Sequence, residues 1–196
     1  YANDDQAVFG DMRQHVADKC ELLVADAAAG ASALLAEVTR LRTGRHDRQA
    51  ARSRIAHAKV QARAAIDKVQ PQLAYLDVIR DVLPRDGFLV PELSQAGFTT
   101  YFGFNVLAPR TYVSEGFQGT LGFGFPTALG VKAANPHKAV LSISGDGGFL
   151  FGVQELATAR QERLGVIALV FNNAAFGNVL RDQRTQFGNR VIGAAA

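Results

Sequence analysis

Two short runs in the C-terminal half of the chain carry side chains of the type that binds a metal ion and a phosphate. The first is SGDGG at 144–148, and the second is FNN at 171–173. Glycines around a single Asp permit a tight turn that presents backbone N–H groups to an anion. A carboxylate in such a turn would repel the anion unless a cation lay between them. Asp146 is therefore a candidate ligand for magnesium that bridges to a diphosphate.

Both runs follow segments that are predicted to be buried strands. Residues 139–144 (AVLSIS) and 165–171 (GVIALVF) are largely apolar, and a helix is predicted between them at 152–162. This βαβ pattern predicts an α/β fold, with a parallel sheet covered by helices on both faces. The carboxyl ends of neighbouring parallel strands lie side by side, so Asp146 and Asn173, 27 residues apart, are expected to converge. An Asn amide oxygen is a suitable neutral ligand for magnesium.

Each run also has a purely structural interpretation. The glycine-rich run could be a simple strand-to-helix turn, and Asn172 and Asn173 could cap the segment that follows them. Either run by itself favours that interpretation. Their placement at corresponding ends of one βαβ unit favours the metal site instead.

The arrangement of GDG, a spacer and NN resembles the cofactor signature of thiamine diphosphate (ThDP)-dependent enzymes. The segment GFQGTLGFGFPTALGVKAANP at 116–136 is similar to the glycine-rich segment of the acetolactate synthase and pyruvate decarboxylase group. The resemblance is closest over residues 70–196 and more distant over 1–45. It implies a ThDP-binding fold that holds ThDP and Mg²⁺, and it leaves open whether FAD is bound as well.

The resemblance also implies roles for individual residues. The Gly119 backbone would meet the aminopyrimidine, and Leu121 would take the place of a bulky residue, often Met or Ile, that bends the cofactor. Gln95 would approach the diphosphate. The backbone carbonyl of Ala175 would be the third protein ligand of the metal, beside those from the two polar runs. The predicted metal ligands are thus Asp146, Asn173 and Ala175, and the predicted cofactor contacts are Gln95, Gly119, Thr120, Leu121, Gly145, Asp146, Gly147, Gly148 and Asn173.

The chain is predicted to have three parts. Residues 1–45, with a strand at 21–26 and a helix at 31–42, are interpreted as the C-terminal remnant of a central α/β domain. Residues 46–70 are polar and contain no Gly or Pro, which is typical of an exposed linker helix. Residues 71–196 contain 12 of the 13 Phe residues and are interpreted as the ThDP diphosphate-binding domain, truncated at its C-terminus.

Within this last part, the sequence predicts a helix at 71–83 and a buried strand at 87–91. Residues 92–120 are predicted to be largely loop, with a short strand at 111–115 (TYVSE). Pro126 is expected in the first turn of a helix that runs to about residue 134.

Composition and charge pattern argue against several classes of function. The net charge of +3 is too small to indicate a nucleic-acid partner. Residues 40–63 do contain eight Arg or Lys against one acid, which leaves a basic nucleic-acid adaptor as an alternative, but no aromatic residues lie among these bases. No membrane-spanning run is present in the sequence.

The single cysteine, Cys20, fits a reducing compartment, so a cytoplasmic location is expected.

The activity implied by the resemblance is decarboxylation of a 2-oxo acid and transfer of the remaining acyl unit to a second carbonyl, as in acetolactate synthase. The alternatives are a simple 2-oxo acid decarboxylase, a carboligase of the benzaldehyde lyase type, and a ThDP-fold binding module that has lost catalysis. The catalytic glutamate of the family belongs to an N-terminal domain outside this chain, usually on a neighbouring subunit. The resemblance therefore implies a homo-oligomer, a dimer or tetramer, that completes the active site, and a chain that is inactive alone.

Overall fold

The structure is a computed structural model, and it describes residues 24–41, 47–116 and 118–195. It divides into two compact units, residues 1–55 and 56–196. The first half of the predicted strand at 21–26 lies outside the described residues, and the remainder, 24–26, forms neither strand nor helix. The predicted boundaries between the three parts of the chain remain predictions.

The first two helices both begin at an aspartate that caps them. Helix α1 is Ala27–Leu41 and helix α2 is Arg48–Ile66. The Asp26 carboxylate accepts hydrogen bonds from the N–H groups of residues 28 and 29, and the Asp47 carboxylate does the same for residues 49 and 50. These bonds satisfy donors that have no partner within a first helical turn. Neither helix contains a buried residue.

A bidentate ion pair joins the end of α2 to the next helix, α3 (Gln72–Val82). The Nη1 and Nη2 groups of Arg63 donate to Oδ1 and Oδ2 of Asp77 at 2.8 and 2.6 Å. These hydrogen bonds hold the pKa of Asp77 below its ordinary value. Because both side chains are exposed, the pair contributes orientation rather than much stability.

The sheet has three parallel strands in the order β1-β2-β3. Strand β1 is Phe88–Pro91, β2 is Val140–Gly145 and β3 is Ile167–Phe171. Helices α4 (Gln95–Gly103) and α5 (Gly124–Ala134) lie between β1 and β2 in sequence. Helix α8 (Gly177–Gln186) follows β3.

Side chains on opposite faces of the sheet pack against different helices. On one face Leu89 and Ile143, both fully buried, pack against Leu76 and Ile79 of α3. On the other face, the neighbouring strand residues Val90 and Val140 pack against Ala128 of α5. The alternation follows from the two-residue period of a strand. It confirms the predicted α/β fold with helices on both faces.

The connection from β2 to β3 differs from the single helix predicted at 152–162. It consists of a short helix α6 (Asp146–Leu150), a 3₁₀ turn (Val153–Glu155) and helix α7 (Leu156–Gln161). Helical geometry therefore begins at Asp146 itself. The break coincides with Gly152, since glycine is among the weakest helix formers.

The segment between β1 and α5 also differs from the prediction. Residues 95–103 form helix α4, where a loop was predicted; Ser94 caps it by accepting a hydrogen bond from the Gly97 N–H at 3.0 Å. The predicted strand at 111–115 is reduced to one isolated bridge, between Tyr112 and Leu89. Among the described residues, no helix is long and apolar enough to cross a membrane.

Candidate functional site

Strands β2 and β3 end at the same level of the sheet. In the parallel register, Gly145 at the end of β2 lies opposite Phe171 at the end of β3. Asp146 and Asn172 therefore leave the sheet side by side, from strands about 4.8 Å apart. A cavity of about 450 Å³ opens at this edge. Its volume is within the range of small-molecule sites, about 300–1,000 Å³.

Most residues of the predicted site line this one cavity, although they come from four separate segments of the chain. They are Gln95, Leu121, Gly145, Asp146, Gly147, Gly148, Asn173 and Ala175. The segments are the start of α4, the loop before α5, the turn after β2 and the loop after β3.

Two predicted residues, Gly119 and Thr120, are exposed and do not line the cavity. Gly119 lies beside Leu93, because a Cβ at position 119 would be 2.9 Å from the Leu93 Cδ1. Leu93 does line the cavity, so Gly119 is separated from it by one side chain. The Thr120 hydroxyl donates to the Leu121 carbonyl at 3.3 Å.

Asp146 is the acidic residue of the cavity. It is half-buried, and none of the ion pairs among the described residues includes it. It begins α6, whose N-cap Gly145 provides no side-chain hydrogen bond. The N–H groups of the first turn are therefore left for another acceptor.

The loop after β3 is shaped by its own hydrogen bonds. The Asn172 Oδ1 accepts from the Ala174 N–H at 2.9 Å, and Ala174 has a left-handed conformation with φ of 53°. The Phe176 N–H donates to the Ala194 carbonyl at 2.9 Å. Asn172 thus serves the loop itself, whereas the exposed side-chain amide of Asn173 has no hydrogen-bond partner among the described residues.

A hydrogen bond crosses the cavity between helices α4 and α8. The Gln95 amide nitrogen donates to the Asn178 Oδ1, and both residues line the cavity. Gln95 is exposed at the first position of α4. The two helix starts are therefore held near each other at the opening.

The remaining wall of the cavity is apolar. Its aromatic part includes Tyr75 of α3 and Phe171, whose ring centroids are 5.2 Å apart. Phe176 lies against the turn after β2, since a Cβ on Gly147 would be 2.6 Å from its Cε1. The other apolar lining residues are Leu93, Ala96, Phe98, Leu121 and Val179. The arrangement can hold an organic group against the wall and, with a cation bound at Asp146, an anion beside that cation.

Sequence reasoning missed Glu92, the first residue after β1, which is only 2% exposed. Its carboxylate accepts hydrogen bonds from the backbone N–H groups of Gly122 and Gly124 at 3.0 and 2.8 Å. One signal was available in the sequence. An acid stands directly after the apolar run FLVP, at the same end of the sheet as the two polar runs.

Comparison with known protein families gives one match that covers more than half of the chain. Residues 94–196 match the thiamine pyrophosphate enzyme family over its C-terminal TPP-binding domain. The matched segment begins at the cap of α4 and includes every cavity-lining residue from α4 onward.

Several curated proteins are similar to this chain. A probable 2-ketoarginine decarboxylase of Pseudomonas aeruginosa is 36% identical over 151 residues, which are 76% of this chain and 27% of that protein. The chloroplastic acetolactate synthase of Arabidopsis thaliana is 46% identical over 89 residues, 45% of this chain and 13% of that protein. The acetolactate synthase isozyme 1 large subunit of Escherichia coli is 34% identical over 109 residues, 56% of this chain and 19% of that protein. The chain thus spans about a quarter or less of the length of these relatives.

Among solved structures, the ThDP-dependent 4-hydroxybenzoylformate decarboxylase of Rhodococcus jostii RHA1 has a similar fold. The TM-score is 0.58 at 23% identity, over 63% of this chain and 23% of that chain. At this level of identity the likeness concerns the fold alone.

The contact between Gly147 and Phe176 gives a test of the cavity's packing. Gly147→Ala should lower the free energy of unfolding by about 1–3 kcal/mol, because the new methyl group must displace the ring. Gly130→Ala on α5 is the control, since a Cβ there meets nothing within 4 Å; it should be stabilising by about 0.4–1 kcal/mol. Urea denaturation measures both. Equal effects of the two substitutions would contradict the packing described here.

Proposed function

Because this chain belongs to the thiamine pyrophosphate enzymes and carries their C-terminal TPP-binding domain, we propose that it forms the diphosphate- and metal-binding part of an active site that decarboxylates a 2-oxo acid. The finer proposal is an acetolactate synthase-like reaction, in which the remaining acyl unit passes to a second carbonyl. The observation that carries the proposal is the convergence of Asp146, Asn173 and Ala175 on one cavity, at the ends of adjacent parallel strands.

The donors at this edge fit magnesium. They are one carboxylate, one side-chain amide and one backbone carbonyl, all of them hard oxygen ligands. No group of three or more His, Cys, Asp or Glu side chains that could hold a metal occurs in the described part of the chain. Among the described residues, no His or Cys lines the cavity, so the soft or imidazole ligands that favour zinc are absent from its lining. Its single carboxylate leaves coordination positions for phosphate oxygens and water.

The turn after β2 fits a diphosphate beside that metal. Gly147 and Gly148 have no room for side chains, so the backbone itself forms the cavity wall there. Phosphate oxygens can approach such a backbone closely and accept hydrogen bonds from its N–H groups. Asp146 would hold the metal, whose charge would offset that of the diphosphate.

The apolar wall would hold the ring portion of the cofactor. Leu121 stands in this wall beside the glycine turn, since a Cβ on Gly148 would lie 3.5 Å from the Leu121 Cδ2. When bound, ThDP supplies the nucleophilic carbon and the electron sink for decarboxylation. This chain supplies anchoring and geometry.

The charge of the cavity bears on the choice of 2-oxo acid. Among the described residues that line it, Asp146 is the one acid, and it is assigned to the metal. A substrate with a guanidinium group carries a positive charge. That charge would have no carboxylate partner among the described residues that line the cavity. The lining therefore favours a 2-oxo acid with a short apolar side chain, such as pyruvate.

A simple 2-oxo acid decarboxylase is the second candidate. It is favoured by the similarity to the probable 2-ketoarginine decarboxylase, which extends over 76% of this chain. A benzaldehyde lyase-type carboligase and a ThDP-binding module without catalysis are the remaining alternatives.

The proposal also includes a second polypeptide region at the site. Leu150 and Phe151, just after the glycine turn, are 58% and 60% exposed in this chain. Large apolar side chains beside a cofactor site are typical of a surface that another domain or subunit covers. We infer that a neighbouring subunit in a dimer or tetramer contributes the catalytic glutamate and covers this surface.

Product analysis with the complete enzyme tests the reaction. With ThDP, Mg²⁺ and pyruvate, an acetolactate synthase-like enzyme should release carbon dioxide and form a 2-hydroxy-3-oxo acid, which chromatography detects. Release of carbon dioxide with acetaldehyde alone would favour the simple decarboxylase. Tight ThDP binding without consumption of any of several 2-oxo acids would favour the binding module.

The metal assignment is tested by Asp146→Ala in the complete enzyme. Loss of the charged ligand should raise the dissociation constant of ThDP in the presence of Mg²⁺ on the order of 100-fold, while the fold remains intact. Asp182→Ala on α8 is the control, because that exposed acid pairs with Arg181 outside the cavity. Titration calorimetry measures both variants. Unchanged affinity in Asp146→Ala would refute the assignment.

The role of Leu121 is tested by Leu121→Ala. If this side chain supports a bent cofactor, its removal should lower kcat far more than it weakens ThDP binding, because the reacting groups lose their proximity. If Leu121 is an ordinary core residue, the substitution should cost stability, about 2–5 kcal/mol, with normal turnover per folded site. Thermal unfolding and steady-state kinetics on the same variant separate the two. Leu156→Ala, at an exposed Leu of α7 that does not line the cavity, is the control.

A further inference from the structure

Glu92 is a buried acid for which the proposed chemistry has no use. It follows β1 directly, and its N–H donates to the Ile143 carbonyl of β2 at 2.8 Å. The residue is 2% exposed. None of the ion pairs in the described part of the chain includes it. A buried carboxylate without a cationic partner depends on hydrogen bonds from its surroundings.

Those hydrogen bonds come from the loop that carries Leu121. Oε1 accepts from the Gly122 N–H at 3.0 Å, and Oε2 accepts from the Gly124 N–H at 2.8 Å. The Ser144 hydroxyl is 3.4 Å from Oε2 and makes a weaker contact. The two backbone bonds fix the loop immediately after Leu121, at a point where Gly122 is in a left-handed conformation with φ of 82°. The direction of the Leu121 side chain is thereby constrained.

The same carboxylate lies against the glycine turn after β2. A Cβ on Gly148 would overlap the Glu92 Oε1. Gly148 lines the cavity two residues after Asp146, and Leu121 lines it from the loop before α5. Glu92 therefore contacts Gly148 and the two glycine N–H groups that follow Leu121, while it does not line the cavity itself.

We propose that Glu92 is a positioning residue that sets the spacing between Leu121 and the turn at 146–148. This inference rests on the proposed function. The spacing matters because Leu121 would support the rings of ThDP and the turn would receive its diphosphate. The Glu92 carboxyl group accepts hydrogen bonds from the Gly122 and Gly124 amides, which positions the loop that carries Leu121. The same group packs against Gly148, which positions the turn.

The first test is Glu92→Gln in the complete enzyme. The substitution keeps the volume but places an NH₂ group opposite a backbone N–H, so one of the two hydrogen bonds becomes a donor–donor contact. The loop should shift, raising the dissociation constant of ThDP about tenfold. The kcat at saturating ThDP should fall by up to about 100-fold, because a small displacement of the rings removes their alignment.

The matched control is Ser142→Ala. Ser142 is a polar residue of β2 that is 1% exposed, and its hydroxyl has no hydrogen-bond partner within the described structure. This substitution should leave ThDP affinity and kcat within about twofold. A merely structural Glu92 would lower the melting temperature of the cofactor-free protein and leave both quantities unchanged per folded molecule. That result would overturn the proposal.

The second test uses the contact with Gly148. Gly148→Ala should weaken ThDP binding strongly, because its methyl group displaces the Glu92 carboxylate. In a Glu92→Asp background the acid is one methylene shorter, so the penalty of Gly148→Ala should be at least several-fold smaller, as expected for residues in contact. Equal penalties in the two backgrounds would overturn the proposal. Failure of every Glu92 variant to fold would also overturn it, since Glu92 would then be a determinant of folding alone.

Failure of this inference is distinct from failure of the proposed function. If the unaltered enzyme binds ThDP and loses it in Asp146→Ala, but Glu92→Gln behaves like Ser142→Ala, only the positioning role is wrong. If the unaltered enzyme does not bind ThDP in the presence of Mg²⁺, the proposed function is wrong and the positioning role falls with it.

Discussion

The parallel pairing of β2 with β3 is the interaction on which the site depends. The register that sets Gly145 opposite Phe171 brings two polar loops to one edge of the sheet. If the register shifted by one residue, Ile143 would face away from the core, because alternate strand residues face opposite sides. The two loops would then no longer begin at the same level of the sheet. The buried side chains of β2 therefore maintain the register, and the register places the candidate metal ligands. The same packing that stabilises the fold determines which polar atoms meet.

The two faces of the sheet contribute differently to the cavity. Helix α3 is anchored through Leu76 and Ile79, and its Tyr75 extends over Phe171 to form part of the aromatic wall. Helix α5 is anchored on the opposite face, and the loop that leads into it carries Leu121. An apolar wall and a polar edge thus adjoin because helices cover the sheet while its strand ends remain open. This is the general position of ligand sites in open α/β sheets.

Glu92 shows how a buried carboxyl group can order a glycine-rich loop. The glycines of the loop before α5 have no side chains of their own to pack. Its Gly122 and Gly124 N–H groups are instead satisfied by one carboxylate. Leaving either partner unpaired inside the protein would cost more than the bond contributes in place. The acid and the loop therefore specify each other's position.

The sequence by itself determined the strands β2 and β3, the parallel α/β fold and the two polar runs that follow the strands. Continuous apolar segments and local glycine patterns carry that information within a few residues. The family resemblance, which the match over residues 94–196 bears out, added the cofactor class. The resemblance also assigned site roles to Gln95, Leu121 and Ala175. All three line the cavity, although the local sequence around them does not indicate a site.

Only the tertiary structure decided the features that depend on contacts between distant segments. Helix α4 forms from a segment of Thr, Gly and aromatic residues with little helical preference, because Ser94 caps it and α3 packs on it. Gly119 and Thr120 lie outside the cavity, with Leu93 between Gly119 and the opening. The position of Glu92 between the loop before α5 and the turn after β2 depends on residues 30 to 56 positions away, from Gly122 to Gly148. Local pattern cannot specify such a place, because it exists only once the sheet and its loops have closed around it.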